Sequence, residues 1–140
     1  MINKEVYGKA LRYLQVRFLS EGELVQKLNR YGAVEGDIAA VINKLKQERF
    51  IDDQRLALAV AEQYMKKKQY GRLYIVHKLK RRYLPIPSIL SSLNERDIAC
   101  QLVKQKFLQD DVDKKKIARY LTNRGFSVSI ISEILHEYLY

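Results

Sequence analysis

Residues 20–45, SEGELVQKLNRYGAVEGDIAAVINKL, hold the pattern from which the rest of the chain is read. Ser20 stands three positions before Glu23, the capping-box spacing in which hydroxyl and carboxylate each take a backbone N–H at a helix start. Leu24, Val25 and Leu28 follow as an apolar stripe, and Gly32 suits the left-handed position that ends a helix. Ile38, Val41, Ile42 and Leu45 then predict another helix over about residues 35–48. Upstream, residues 4–17 place Val6, Ala10 and Leu14 on one face, so residues 1–50 read as three short helices.

The same order recurs twice. A shift of 51 carries the first unit onto the second, and a further 42 carries the second onto the third. Val6, Ala57 and Ala99 then coincide, as do Ala10, Ala61 and Val103, and Leu14, Met65 and Phe107. In the middle helices Leu24, Ile75 and Ile117 align, and Leu28, Leu79 and Leu121 are identical. In the third helices Ile38, Ile89 and Ile131 align, followed by Ile42, Leu93 and Leu135. Pro85 and Pro87 stop the fifth helix and restart a short sixth one with Ile89 and Leu93. Residues 96–108 read as a seventh helix, Asp111 or Asp113 caps an eighth, and Ser127 caps a ninth. Strand-like alternation is nearly absent. The expected fold is all-α: three tandem three-helix repeats, 1–50, 51–94 and 95–140, stacked into an elongated, curved array.

Composition narrows the function. The chain has 140 residues, 47% of them hydrophobic, enough for a core. Its single cysteine excludes an internal disulfide framework, and no apolar run approaches the roughly 20 residues of a membrane span. The N-terminus lacks the apolar core of a signal peptide, so a soluble, cytoplasmic protein without a membrane role is expected. The net charge is +10 and unevenly placed. No Asp or Glu occurs between Glu62 and Glu95, whereas Lys66, Lys67, Lys68, Arg72, Lys78, Lys80, Arg81 and Arg82 all do. An unbroken run of one sign favours a polyanion or an acidic protein surface; a merely solvated helical face is the competing account.

FIDDQRLALAVAEQY (residues 50–64) followed by YGRLYIVHKL (70–79) resembles the RecX regulatory family. Ile51, Asp52, Asp53, Arg55, Ala57, Tyr64, Gly71 and Leu79 fall on that family's pattern, with Leu56 in place of its usual phenylalanine. ALRYLQVRFLSEGELVQKL (residues 10–28) matches a second signature through Ala10, Leu11, Leu14, Arg17, Ser20, Glu23, Leu24 and Leu28. One departure is Tyr83, which stands where the other two repeats have Gly32 and Gly125. The resemblance implies a monomeric, non-enzymatic modulator of the RecA recombinase that lodges in the RecA–DNA filament. Such a protein restrains ATP hydrolysis, strand exchange and coprotease activity, and so regulates DNA repair and the SOS response. Its partners would be the RecA filament and, without sequence preference, the DNA phosphate backbone.

The residues themselves agree with a binding rather than a catalytic role. Asp52 and Asp53 read as helix N-caps, since a carboxylate there accepts backbone N–H bonds and offsets the positive helix end. Arg55 lies on the same turn as a partner for carboxylate or phosphate, and Gly71 lets the chain turn into the fifth helix. No GxxxxGK[ST] or GxGxxG occurs, so no cofactor or nucleotide motif is expected. His77 and His136 have no ligand cluster near them in sequence, and no metal site or catalytic set is expected. Tyr74, His77, Lys78 and Arg81 project from the fifth helix away from its Ile75/Val76/Leu79 stripe, a face fit for phosphate, base or carboxylate. The rival reading is a helix-turn-helix-like transcriptional regulator. Against it, the third helices carry few Arg or Asn side chains for base edges.

Overall fold

The structure, a computed structural model, describes residues 2–107 and 113–137. The described residues are all-helical, in eight α-helices and one 3-10 segment. In chain order these are α1 (Lys4–Val16), α2 (Glu21–Tyr31), α3 (Glu35–Gln47), α4 (Asp53–Lys67) and α5 (Arg72–Arg81). The 3-10 segment Ser88–Ser92 precedes α6 (Glu95–Lys106), α7 (Lys114–Asn123) and α8 (Val128–Glu137).

Local chemistry sets the helix ends. Asn3 caps α1 by accepting the Glu5 and Val6 N–H groups at 3.1 and 3.2 Å. The Ser20–Glu23 capping box forms in full at the start of α2: the Glu23 N–H donates to Ser20 Oγ at 3.1 Å and the Ser20 N–H to Glu23 Oε1 at 3.0 Å. Gly32 ends that helix at φ +100°, letting the Ala33 N–H reach back to the Leu28 carbonyl at 3.1 Å. Asp113 caps α7 by accepting the Lys115 N–H at 2.9 Å; Asp111, the other aspartate expected there, lies outside the described residues, as do residue 108 and the chain beyond 137.

The expected sixth α-helix is instead a 3-10 segment. Pro85 and Pro87 leave only a few residues in which to propagate hydrogen bonds, too few to repay an α-helical nucleus. The hydroxyls of Ser91 and Ser92 turn back on the Ser88 and Ile89 carbonyls at 2.8 and 2.6 Å, occupying acceptors at that end.

The chain divides into two compact units, Met1–Leu58 with Lys80–Pro85, and Ala59–Leu79 with Ile86–Tyr140. In the first, α1, α2 and α3 pack on one another. Their core comprises Val6, Ala10, Leu19, Leu24, Leu28, Ile38, Val41, Ile42, Leu45 and Ile51. In the second, α8 packs on both α6 and α7 over Ile98, Ala99, Leu102, Val103, Ile117, Leu121, Phe126, Ile131 and Ile134. Enclosing one leucine or isoleucine is worth about 1.5–3 kcal/mol, so each cluster is held chiefly by apolar burial. Leu28, Leu79 and Leu121 are fully buried, and so are Leu24, Ile75 and Ile117. At these two middle-helix positions the register read from sequence coincides with enclosure, whereas Leu14, Met65 and Phe107 of the first helices are only partly buried.

Candidate functional site

In the second unit Lys66 and Lys67 end α4, Lys68 follows it, Arg72 opens α5 and Lys78 lies in the last turn of α5. The first four are exposed and Lys78 is half-buried. None of the five takes part in an ion pair among the described residues. Lys68 holds φ +51° just beyond α4, a left-handed turn that stops the helix. The Arg72 N–H, an orphan donor at the start of α5, is accepted by Glu95 Oε1 at 2.7 Å. The acid that closes the long basic window thus acts as a remote helix cap.

Gly71 explains how α5 is placed. Its N–H donates to the Arg124 carbonyl at 2.8 Å, and the Leu73 N–H donates to the Gly125 carbonyl at 3.0 Å. A Cβ on Gly71 would lie 2.4 Å from the Gly125 oxygen, so the close backbone approach requires glycine. Gly125, at φ +86°, has equally little room, because a Cβ there would meet the Tyr74 backbone nitrogen at 2.3 Å.

Tyr74 is half-buried rather than freely projecting. Its ring stacks on Tyr70 with centroids 3.9 Å apart and planes 5° apart, and Tyr64 meets both edge-on at 5.8 and 5.9 Å. Such aromatic pairs gain about 0.5–1.5 kcal/mol beyond burial, which outweighs keeping an exposed phenol free. Cations edge the cluster: Lys67 Nζ lies 5.5 Å from the Tyr64 centroid, Lys78 Nζ 5.2 Å from that of Tyr74, and the Arg124 guanidinium 5.7 Å from that of Tyr70. Lys67, Lys68 and Arg124 share a cleft of about 410 Å3 with Gln69, Gln101, Gln105 and Tyr120. Arg124, Gln101 and Gln105 carried no sequence signal, because they meet α4 only through the packing of α6 and α7. Lys66, Arg72 and Lys78 do not line the cleft.

The remaining candidates lie in the first unit. Lys80 and Arg81 are exposed. Arg82 is engaged internally: its guanidinium bonds Glu23 at 3.1–3.3 Å and the Phe18 carbonyl at 2.8 Å. Burial pushes the Glu23 carboxyl up, but the Arg82 hydrogen bond, the Ser20 N–H and the charges of Arg82 and Arg17 together hold it below its ordinary value. Asp52 and Asp53 are both caps, though of different helices. Asp52 accepts the Arg55 N–H of its own helix at 3.1 Å, while Asp53 accepts the Glu21 N–H of α2 at 2.9 Å. Ala57 is wholly buried, and the exposed Arg55 side chain has no ion-pair partner among the described residues. No described helix is long and apolar enough to cross a membrane.

Residues 7–45 match the family model described as "RecX, first three-helix domain". Among curated proteins, the regulatory protein RecX of Chlorobaculum tepidum is 32% identical, over 89% of this chain and 82% of that protein. That of Acinetobacter baylyi is 31% identical, over 95% and 91%. The chain spans about half the length of some longer relatives, such as RecX of Geobacillus thermodenitrificans, at 29% identity over 96% of this chain and 54% of that one. The crystal structure of RecX from Lactobacillus salivarius superposes with a TM-score of 0.78, covering 96% of this chain and 95% of that one at 23% identity.

Proposed function

The chain belongs to the RecX family, and from that premise we propose that it is a non-enzymatic regulator that binds the RecA–DNA filament and modulates, mostly by inhibition, RecA ATP hydrolysis, strand exchange and coprotease activity, and thereby DNA repair. The observation that carries the reading is the acid-free window from Glu62 to Glu95. Of its eight cations only Arg82 enters an ion pair among the described residues. Lys66, Lys67, Lys68, Arg72, Lys78, Lys80 and Arg81 therefore keep their charge available to a filament's phosphates or carboxylates.

Inhibition needs no catalytic group in this chain. A ligand shifts an equilibrium by its differential affinity for the two states, so binding one filament conformation more tightly would slow turnover through the others. The test is RecA's DNA-dependent ATPase with the protein titrated in, beside Lys78→Glu/Arg81→Glu. Wild type should suppress turnover to a plateau, and the charge reversal should move half-inhibition to at least about tenfold higher concentration, two phosphate contacts' worth. Unaltered turnover at saturation would remove the reading. Strong preference for one duplex sequence without RecA would favour a transcriptional regulator instead.

A further inference from the structure

We propose that the second-unit cleft lined by Lys67, Lys68, Gln101, Gln105, Tyr120 and Arg124 is a nucleoside-phosphate site. The inference rests on the filament reading and deepens it, naming a nucleotide unit as the group that these cations contact. Three side chains of the lining are cationic and none is a carboxylate, so the cleft attracts an anion without internal compensation. Its volume of about 410 Å3 lies within the range of small-ligand pockets.

Arg124 is already positioned for phosphate. Its Nη1 donates to the Gln69 carbonyl at 3.4 Å, and its guanidinium lies 5.7 and 5.2 Å from the Tyr70 and Tyr120 ring centroids. A guanidinium held in this way loses less freedom when it forms a bidentate contact. Bare phosphate affinity would need only the cations. Gln101 and Gln105 add something else: four residues apart on α6, they place two carboxamides, each donor and acceptor, along one side of the cleft. Carboxamides of this kind pair with the hydrogen-bonding edges of a base, adenine above all. Tyr120 lines the cleft beside them, its ring held by Phe107 edge-on at 5.7 Å.

The nucleotide has two sources, free in solution or as a unit of a single strand, and they are separable. The isotope-labelled full chain is titrated with adenosine monophosphate, inorganic phosphate and a short oligodeoxyadenylate, following the amides of Lys68, Gln101, Gln105 and Arg124. Shifts with the oligonucleotide alone assign the site to a strand; shifts with the monophosphate as well assign it to free nucleotide too. Lys67→Gln/Lys68→Asn, with Asn chosen because it tolerates the left-handed turn at 68, should weaken binding about tenfold. Lys114→Gln/Lys115→Gln removes the same charge from exposed positions on α7 outside the cleft and should cost no more than about threefold. Gln105→Ala, benign on an exposed helix face, should weaken whichever nucleotide ligand binds, monophosphate or oligonucleotide, and leave inorganic phosphate unchanged. Equal losses from the two lysine pairs, inorganic phosphate binding as tightly as the tightest nucleotide ligand, or cleft amides unmoved by every ligand would each overturn the site. RecA inhibition with a silent cleft would overturn the site and leave the filament reading; an occupied cleft without RecA inhibition would do the reverse.

Discussion

Tyr83 takes the left-handed conformation, φ +58°, at the register position where Gly32 and Gly125 have φ +100° and +86°. An L-residue there costs roughly 1–2 kcal/mol. Compensation comes from its side chain, whose ring lies against Gly22 and whose hydroxyl accepts a hydrogen bond from Gln26 Nε2. A Cβ on Gly22 would sit 2.7 Å from the Tyr83 Cβ and Cγ atoms. Gly22→Ala should therefore lower stability by about 1–3 kcal/mol in urea titrations, and most of that loss should vanish in a Tyr83→Gly background. A penalty of the same size in both backgrounds would mean that Tyr83 is not what Gly22 accommodates. Glu23 gives this region a pH dependence. Its folded pKa lies below the ordinary value of 4.5, so the stabilisation is present above about pH 4.5 and is lost as pH falls through the folded value. The urea midpoint of wild type should fall below that pH, and Glu23→Gln should flatten that limb while lowering the plateau. Parallel acid limbs would assign the dependence to other carboxylates.

Adjacent aspartates serve separate helices. Asp53 supplies the Glu21 N–H of α2 with an acceptor at 2.9 Å, whereas Asp52 serves the first turn of α4. Asp53→Ala should cost about 1 kcal/mol and raise amide exchange at Glu21, leaving Arg55 protected; Asp52→Ala should do the opposite. Exchange that rises at both amides in either variant would show one shared cap instead of two. The capping role itself was legible, because Asp before an apolar helical run is a local signal. That Asp53 reaches a different helix was not, since its acceptor role depends on how α4 meets α2. The same boundary separates other cases. Leu28, Leu79 and Leu121 recur at fixed offsets, and a repeated pattern of enclosure needs nothing beyond periodicity to be read. In sequence Gly71 marks a turn, but the reason for glycine is the Gly125 carbonyl across the gap, more than fifty residues on. Within the cleft Lys67 and Lys68 stood out by charge, while Arg124, Gln101 and Gln105 had no local motif to mark them.

For the whole molecule, a net charge of +10 guarantees attraction to polyanions but does not say which cations make contact. Salt dependence separates them. Each cation that displaces a counterion from B-DNA contributes about −0.9 to the slope of log K against log salt. If the seven unpaired cations of the window all met phosphates, binding to a DNA-loaded filament would show a slope near −6. Arg82 should not belong to that set, because its side chain is only 22% accessible and is committed to Glu23, itself 13% accessible. Arg82→Gln should leave the slope unchanged and instead destabilise the fold by about 1–3 kcal/mol, since Glu23 would lose its principal partner. Lys78→Glu/Arg81→Glu should do the reverse, making the slope shallower by about 2 units with little effect on the urea midpoint. A slope that moves with Arg82→Gln as much as with the double reversal would mean that the Glu23 pair opens on binding. A wild-type slope near zero would mean that these cations face protein carboxylates, and the partner surface would then have to be sought on RecA rather than on DNA.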